Sequence, residues 1–216
     1  MGNLVAHPLT PERWDDLVEV FGGGEGRGDC GRCWCMWWRL PRAAVGGNAG
    51  RGNKALFAAR VQDGPPPGLV GYDGDGVPVG WVQVGRRADV PVWNDAGRLT
   101  APLQAGDAAD PQVWGISCFV VRAGHRRKGY FAGLLDAAID WAKSNGARAV
   151  DACPVDAQDK RPAPSLYHGI AAPFRVRGFA EIARRRPDRP LLRLTIGVGD
   201  EGRGPRYPRA GISQTE

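Results

Sequence analysis

The fold of this chain is decided by residues 113–153, VWGISCFVVRAGHRRKGYFAGLLDAAIDWAKSNGARAVDAC. Residues 113–121 are mostly apolar and rich in β-branched and aromatic side chains, which favours a strand buried on both faces. Residues 126–144 carry apolar side chains at helical spacing, and Asn145-Gly146 marks the end of that helix. Residues 147–153 favour another strand. Strand, helix and strand in this order predict a parallel pair with a right-handed crossover.

The rest of the chain adds elements on both sides of this unit. Predicted strands lie at residues 4–7, 69–72, 77–84, 179–184 and 191–196, and predicted helices at 11–21, 54–62 and 165–177. A long loop is expected over residues 87–109. Together these elements predict an α/β fold of the α+β mixed-sheet type, in one domain over residues 1–197. Residues 198–216 are rich in glycine, proline and arginine, which predicts a mobile C-terminal tail.

The composition is that of a soluble globular protein, with 216 residues of which 43% are hydrophobic and 24% charged. No apolar run approaches the roughly 18–20 residues that span a bilayer. The first ten residues lack the basic and apolar regions of a signal peptide. We therefore expect a cytoplasmic protein with no membrane partner, and the frequent glycine, alanine and arginine suggest a GC-rich bacterial genome.

The net charge of +6 comes from local clusters of basic residues. Residues 122–128 hold four basic side chains and no acid, and residues 175–193 hold seven arginines against Glu181 and Asp188. Two such clusters indicate local anion sites more than a nucleic-acid face. Nucleic acid is therefore not an expected partner.

The basic turn Arg126-Arg127-Lys128 lies where the central helix is predicted to begin. Cations are disfavoured at a helix N-terminus, which is the positive end of the helix dipole and has unpaired N–H groups. A bound phosphate would offset this, and Gly129 would let the backbone approach it closely. The turn also follows the carboxyl end of a strand, where open α/β sheets bind ligands. The alternative is a solvated basic turn without a ligand.

The strand residues 118–121, the turn Arg126-Arg127-Lys128-Gly129-Tyr130 and the pair Leu134-Leu135 resemble the signature of the GNAT superfamily of N-acetyltransferases. That signature is Arg/Gln-x-x-Gly-x-Gly/Ala after a strand. Arg126 matches its first position and Gly129 its fourth, whereas Phe131 stands where the family usually has glycine or alanine. The resemblance covers residues 113–196 well and residues 1–112 weakly. It implies a central mixed sheet flanked by helices, with splayed parallel strands.

The resemblance implies an acyltransferase that moves the acetyl group of acetyl-CoA, its co-substrate, directly to a primary amine of a small molecule or peptide. The pantetheine arm would pair with the edge of the first strand, and a backbone N–H would stabilise the oxyanion. The residues expected to bind acetyl-CoA are Phe119, Val120, Val121, Arg126, Arg127, Lys128, Gly129, Tyr130 and Phe131.

A protonated amine must lose a proton before it attacks the thioester, so the site needs a base or a water chain. Asp151, on the second splayed strand, is the predicted catalytic base, and Asp107 or Asp110 could act through water. The alternative for Asp151 is a strand-end acid in an ion pair.

The leaving thiolate of CoA also needs a proton, which many GNAT enzymes supply from a tyrosine. The corresponding position here is Phe174, which cannot donate. Tyr167 is therefore the predicted catalytic acid, with His168 or solvent as alternatives.

A segment rich in cysteine and tryptophan, residues 30–40, remains outside these assignments. We interpret Cys30, Cys33 and Cys35 as part of an acceptor-pocket wall built with neighbouring tryptophans. The alternative is a zinc site with His7 as fourth ligand, but a second Cys/His pair is missing, so no metal is expected. Two other functions stay open: a GNAT-like protein that uses another acyl-CoA or senses CoA, and a zinc- or nucleic-acid-binding regulatory module.

Overall fold

A computed structural model describes residues 4–22, 30–156 and 167–197 of the chain. Within them, seven strands form one mixed sheet in the order β1-β2-β3-β4-β5-β7-β6. The strands are β1 Val5–Pro8, β2 Gly68–Tyr72, β3 Pro78–Arg86, β4 Val113–Val121, β5 Ala149–Ala152, β6 Ala180–Arg186 and β7 Arg189–Thr195. The α-helices are α1 Trp14–Val20, α2 Arg42–Gly47, α3 Arg51–Asp63, α4 Tyr130–Ser144 and α5 Ala171–Val176.

Helices cover both faces of the sheet. On one face, α4 buries Leu134, Leu135 and Ala138 against the strands. It can approach closely because β3 has glycine at position 80, where a Cβ would lie 2.7 Å from Leu134. On the other face, α1, α3 and the cysteine-rich segment enclose a second core around Trp34 and Trp81. The mixed sheet flanked by helices is thus confirmed.

The parallel pair β4 and β5 stays together for only part of its length. Their register runs from Val113 opposite Ala149 to Ile116 opposite Ala152, and β4 then continues alone to Val121 on that side. Past β5 the chain pairs elsewhere, with Val155 bridging to Ile170. The sheet therefore opens at the carboxyl end of β4, as the splayed strands of the predicted fold require.

The central helix begins later than predicted. Arg127 has a φ of 64° and Gly129 a φ of 87°, and this left-handed backbone cannot belong to a right-handed helix. Helix α4 therefore begins at Tyr130, with Gly129 as its N-cap. The basic residues 126–128 lie in the turn before the helix rather than in its first turn.

Other elements also differ from the sequence predictions, because contacts between distant parts of the chain determine their local structure. Residues 30–40 form a series of turns, with left-handed backbone at Trp34 and Cys35. The helix predicted at residues 165–177 is only α5, and the long loop over residues 87–109 holds three short 3-10 helices. The tail predicted at residues 198–216 lies outside the described residues. None of the helices in the described part of the chain has the length and apolar character of a transmembrane span.

Candidate active site

The turn between β4 and α4 is shaped to receive an anion. Arg127 and Gly129 have left-handed backbone, which is typical of turns whose successive N–H groups form anion-binding concavities. The free N–H groups of the first turn of α4 point along the helix axis toward its N-terminus, where this turn lies. Arg126, Arg127 and Lys128 are all exposed beside it, so both backbone and side chains present positive potential.

A groove of about 480 Å³ runs from this turn along β4. Eight of the nine residues predicted to bind acetyl-CoA line it, and Lys128 is the one that does not. The eight are Phe119, Val120, Val121, Arg126, Arg127, Gly129, Tyr130 and Phe131. A local motif and a strand edge are thus brought into one continuous surface, which we call the basic groove.

Phe131 departs from the family signature, and the structure accommodates its ring. The ring packs 4.7 Å from that of Phe119 and 6.2 Å from that of Phe174, measured between centroids. Residue 169 leaves the space for it: a Cβ on Gly169 would lie 2.7 Å from the Phe131 ring. Phe131, at the sixth signature position, therefore packs against the core and also lines the groove.

A second cavity, of about 350 Å³, adjoins the basic groove. We call it the cysteine-lined cavity; its described lining is Cys30, Arg32, Cys33, Cys35, Trp37, Trp38, Gln83, Cys118, Val120, Tyr167 and His168. Val120 and Tyr167 line the basic groove as well, so the two spaces meet at these residues. This position agrees with the acceptor-pocket interpretation of the cysteines.

A third cavity, of about 600 Å³, lies on the α1 side of β4 and has a different character. Asp15 and Glu19 of α1 line it, and Glu19 forms a salt bridge of 2.6 Å with Arg122. We call it the acidic cavity. It also contains Val120 and Tyr167, so Tyr167 stands where all three spaces come together.

The hydroxyl of Tyr167 is buried and has no hydrogen-bond partner among the described residues. A phenol held this way lacks the partner that buried tyrosines usually find. An unpaired polar atom at the junction of a groove and a cavity points to a group that is satisfied only when a substrate is bound.

His168 lies next to Tyr167 and is fixed to the strand. Its Nδ1 lies 3.1 Å from the carbonyl oxygen of Ser117, which suits a donated hydrogen bond and leaves Nε2 as the acceptor. Burial, followed by the positive charge of Arg189, lowers the pKa of His168 to about 4. The imidazole is therefore neutral and weakly basic at neutral pH.

The structure places Asp151 away from all three cavities, which argues against the predicted base role. Its carboxylate is fully buried, 2.6 Å from Arg87 Nη1 and 2.7 Å from Arg193 Nε. Asp107 is also buried, with Arg193 and Arg148 as its partners. Arg87 and Arg193 occupy the two oxygens of the Asp151 carboxylate, so the ion-pair alternative describes Asp151 better.

The structure also argues against Asp110, the other acid considered as the catalytic base. It lies just before β4, at the opposite end of the strand from the opening, and pairs with Arg148. A strand of nine residues is about 30 Å long, so no single water could connect Asp110 to the cleft.

The cysteines of the cavity are free thiols. Trp81 Nε1 donates to Cys35 Sγ at 3.2 Å. Burial, with a contribution from Cys35, raises the pKa of Cys33 to about 11, and a hydrogen bond to Cys35 together with burial raises the pKa of Cys118 well above its usual value. Cys33 and Cys118 are therefore uncharged thiols at neutral pH. No group of three or more potential ligands in the described ranges has the geometry of a metal site.

Gln83 is a polar residue of the cavity that the sequence analysis did not single out. It is 2% exposed, and neither its amide nitrogen nor its amide oxygen has a partner among the described residues. The available signal was a lone amide in the otherwise apolar strand 78–84. Register with β4 places it opposite Cys118, beside the irregularity that leaves Ser117 unpaired.

The split parallel pair, with a basic turn at the start of the following helix, defines an acetyltransferase fold. The family model of the acetyltransferase (GNAT) family matches residues 34–170, and the chain belongs to this family. No curated protein matches the sequence.

Solved structures share the fold at low sequence identity. A GNAT-family acetyltransferase from Listeria monocytogenes is 9% identical, with a TM-score of 0.52 over 89% of this chain and 95% of the other. The GNAT domain of S. lividans PAT is 18% identical, with a TM-score of 0.47 over 90% and 97% of the two chains. The PaiA N-acetyltransferase from Thermoplasma acidophilum, in complex with coenzyme A, is 10% identical, with a TM-score of 0.48 over 90% and 99%.

Proposed function

We propose that this protein is an N-acetyltransferase that moves the acetyl group of acetyl-CoA directly to the primary amine of a small molecule. One observation carries the proposal: the opening beside β4 has a basic turn at one end and an unpartnered buried phenol at the other. A site that uses a CoA thioester needs both features: a binding site for the diphosphate and a proton donor for the sulfur.

The basic groove supplies the binding site for acetyl-CoA. Arg126 and Arg127 line the groove beside the turn, where their guanidinium groups would bind the diphosphate together with backbone N–H groups. Lys128 lies outside the groove wall and would add a longer-range attraction. The edge of β4 beyond Ile116 has no β5 partner, and the amides of pantetheine would pair with its peptide groups. Two carbonyls of this segment are already bonded, that of Ser117 to His168 and that of Val121 to Arg126.

The reaction follows from this placement. The neutral amine attacks the thioester carbonyl, and a backbone N–H of the unpaired β4 edge stabilises the developing oxyanion. The carbon–sulfur bond then breaks, and Tyr167 gives its phenolic proton to the departing sulfur. The proton lost by the amine passes to water, and water returns a proton to the phenolate of Tyr167. Asp151 has no part in this scheme, because both of its oxygens are held by arginines.

The proposal is tested by mixing the purified protein with acetyl-CoA and a panel of amines. Release of free CoA thiol, together with an acetylated amine in the mass spectrum, is expected only in complete mixtures. Longer acyl-CoAs in parallel show the donor preference. Failure of the protein to bind CoA, or thiol release no faster than spontaneous hydrolysis with every amine, would overturn the proposal.

Replacing Tyr167 with phenylalanine is expected to lower kcat by about 100-fold with little change in KM, because only the proton donor is lost. The substitution removes a hydroxyl that has no described partner, so the melting temperature should be unchanged or slightly higher. Steady-state kinetics and thermal melting measure the two effects.

Tyr72→Phe is a matched control, because the Tyr72 hydroxyl donates to Asp16 at 2.6 Å and Tyr72 lines none of the three cavities. It should lower stability by about 1 kcal/mol and leave kcat unchanged. An unaltered kcat in Tyr167→Phe would remove Tyr167 from the mechanism.

A further inference from the structure

We infer that the cysteine-lined cavity accepts a flat aromatic amine that is uncharged at neutral pH and carries a carboxamide-like group for Gln83. The inference rests on the proposed function and names the substrate class of that site. Four features of the cavity carry it: its position, its charge, its shape and its unpaired amide.

The position of the cavity makes it the acceptor side. It meets the basic groove at Val120 and Tyr167, so a molecule within it would face the end of the pantetheine arm. It also contains Cys118, next to the β4 irregularity at Ser117. An amine here is next to the phenol that protonates the leaving sulfur.

The charge of the cavity disfavours an ammonium ion. Its described lining includes no carboxylate, and its one charged lining residue is the cation Arg32. Cys33 and Cys118 are uncharged thiols, and His168 is too weak a base to take a proton from an alkylammonium. An ammonium would enter without a counter-ion and find no group to deprotonate it. An aromatic amine avoids both costs, because its amino group is neutral, not an ammonium ion, at pH 7.

The shape of the cavity suits a small planar molecule. A volume of about 350 Å³ is at the lower end for small-molecule sites and too small for a peptide. Trp37 and Trp38 form part of its wall, and Arg42 stacks on Trp37 with its guanidinium carbon 3.4 Å from the ring centroid. A tryptophan held this way offers a fixed flat surface for an aromatic ring.

Gln83 supplies the specific contact. A buried side-chain amide with both atoms unpaired costs free energy that a ligand recovers by pairing with it. The amide offers donors and an acceptor side by side, and a carboxamide is its complement. A purely hydrocarbon ligand would leave both atoms unpaired.

The acidic cavity is the competing acceptor route. Asp15 and Glu19 would suit a cationic amine there. Glu19 is already paired with Arg122, and this cavity adjoins the basic end of the groove at Arg126, which lines both spaces. We therefore place the acceptor in the cysteine-lined cavity and make the acidic cavity an outcome of the test.

The first experiment compares 4-aminobenzamide with 4-(aminomethyl)benzamide, which differ by one methylene and by the charge of the amine at pH 7. Binding of each to the full-length protein saturated with CoA is measured by calorimetry, because turnover alone would include the greater nucleophilicity of the alkyl amine. We expect 4-aminobenzamide to bind at least about tenfold more tightly, owing to the desolvation cost of the ammonium. It should also be acetylated. Tighter binding of the charged amine would overturn the inference in favour of the acidic cavity.

The second experiment tests Gln83 by a substrate–variant cycle. The wild-type protein should bind 4-aminobenzamide about 30-fold more tightly than 4-methylaniline, as two net hydrogen bonds would give. In Gln83→Leu this ratio should fall close to one, while CoA affinity stays unchanged. Gln83→Met serves as a second variant if leucine does not fit. An unchanged ratio in a folded variant would refute the role of Gln83.

Different results would disprove the acceptor class and the acetyltransferase function. A protein that binds CoA and acetylates other amines, but neither binds nor acetylates 4-aminobenzamide, would disprove the acceptor class and leave the acetyltransferase proposal intact. A protein that does not bind CoA would disprove the proposed function itself.

Discussion

Replacing Arg126 and Arg127 with alanine is expected to weaken CoA binding by about 1,000-fold. Both side chains line the basic groove beside the left-handed turn, and each would lose a charge-assisted hydrogen bond to phosphate. The fold should be unaffected, because both side chains are exposed and precede helix α4. Calorimetry with CoA and thermal melting of the free protein measure the two quantities.

The matched control removes two positive charges elsewhere, in Arg86→Ala/Lys143→Ala. Arg86 ends β3 and Lys143 lies at the far end of α4, so this variant changes the net charge equally but leaves the turn intact. It should bind CoA within about twofold of wild type, because exposed charges farther away than a Debye length are largely screened. Lys128→Ala should have a small effect that fades at high salt. Equal losses in the two double variants would show that the turn is not a specific site.

Asp151→Asn is expected to destabilise the protein by about 3–5 kcal/mol, the cost of leaving a buried cation without its partner. Asp151 and Arg87 are both fully buried, and Arg193 completes the ion pair on the other oxygen. Denaturant unfolding gives the free energy. Activity per folded molecule should stay within a few-fold of wild type, because the carboxylate does not line the cleft.

Asp156→Asn is the surface counterpart of this substitution. Asp156 also binds two arginines, Arg175 and Arg184, at 2.8 Å, but its side chain is 30% exposed. Those arginines lower the pKa of Asp156, yet the loss should be only about 0–1 kcal/mol because solvent screens exposed pairs. A stable Asp151→Asn protein with activity lost would restore Asp151 as a base.

The secondary structure around the central unit could be predicted because its signals are local. The apolar run 113–121 forms β4 with the predicted ends, and the strands predicted at residues 69–72 and 77–84 form β2 and β3, which pair with each other. The helix start was misplaced because the left-handed backbone at Arg127 has no strong sequence signal, in contrast to that at Gly129. The turns over residues 30–40 were not predictable, since their backbone is held by packing against Trp81 and α3.

The basic turn of the candidate site could also be predicted from the sequence, whereas the side proposed for the acceptor could be predicted only in part, through Tyr167. The basic turn is formed by contiguous residues, so the sequence pattern is enough to indicate where the turn lies. Asp151 was predicted as a base because it lies on the second splayed strand, but its surroundings are set by Arg87, which lies 64 positions earlier in the chain. Gln83 and His168 reach the site from separate elements, and only the folded chain brings them together.

The sequence by itself determined the β-α-β order, the basic turn with its glycine, and the family resemblance, because each depends on residues that are neighbours along the chain. The tertiary structure alone decided which acids are held in ion pairs, where the sheet opens, and which polar atoms stay unpaired in the cavity. Those properties depend on burial and on distances between residues far apart in sequence, and no local pattern encodes them.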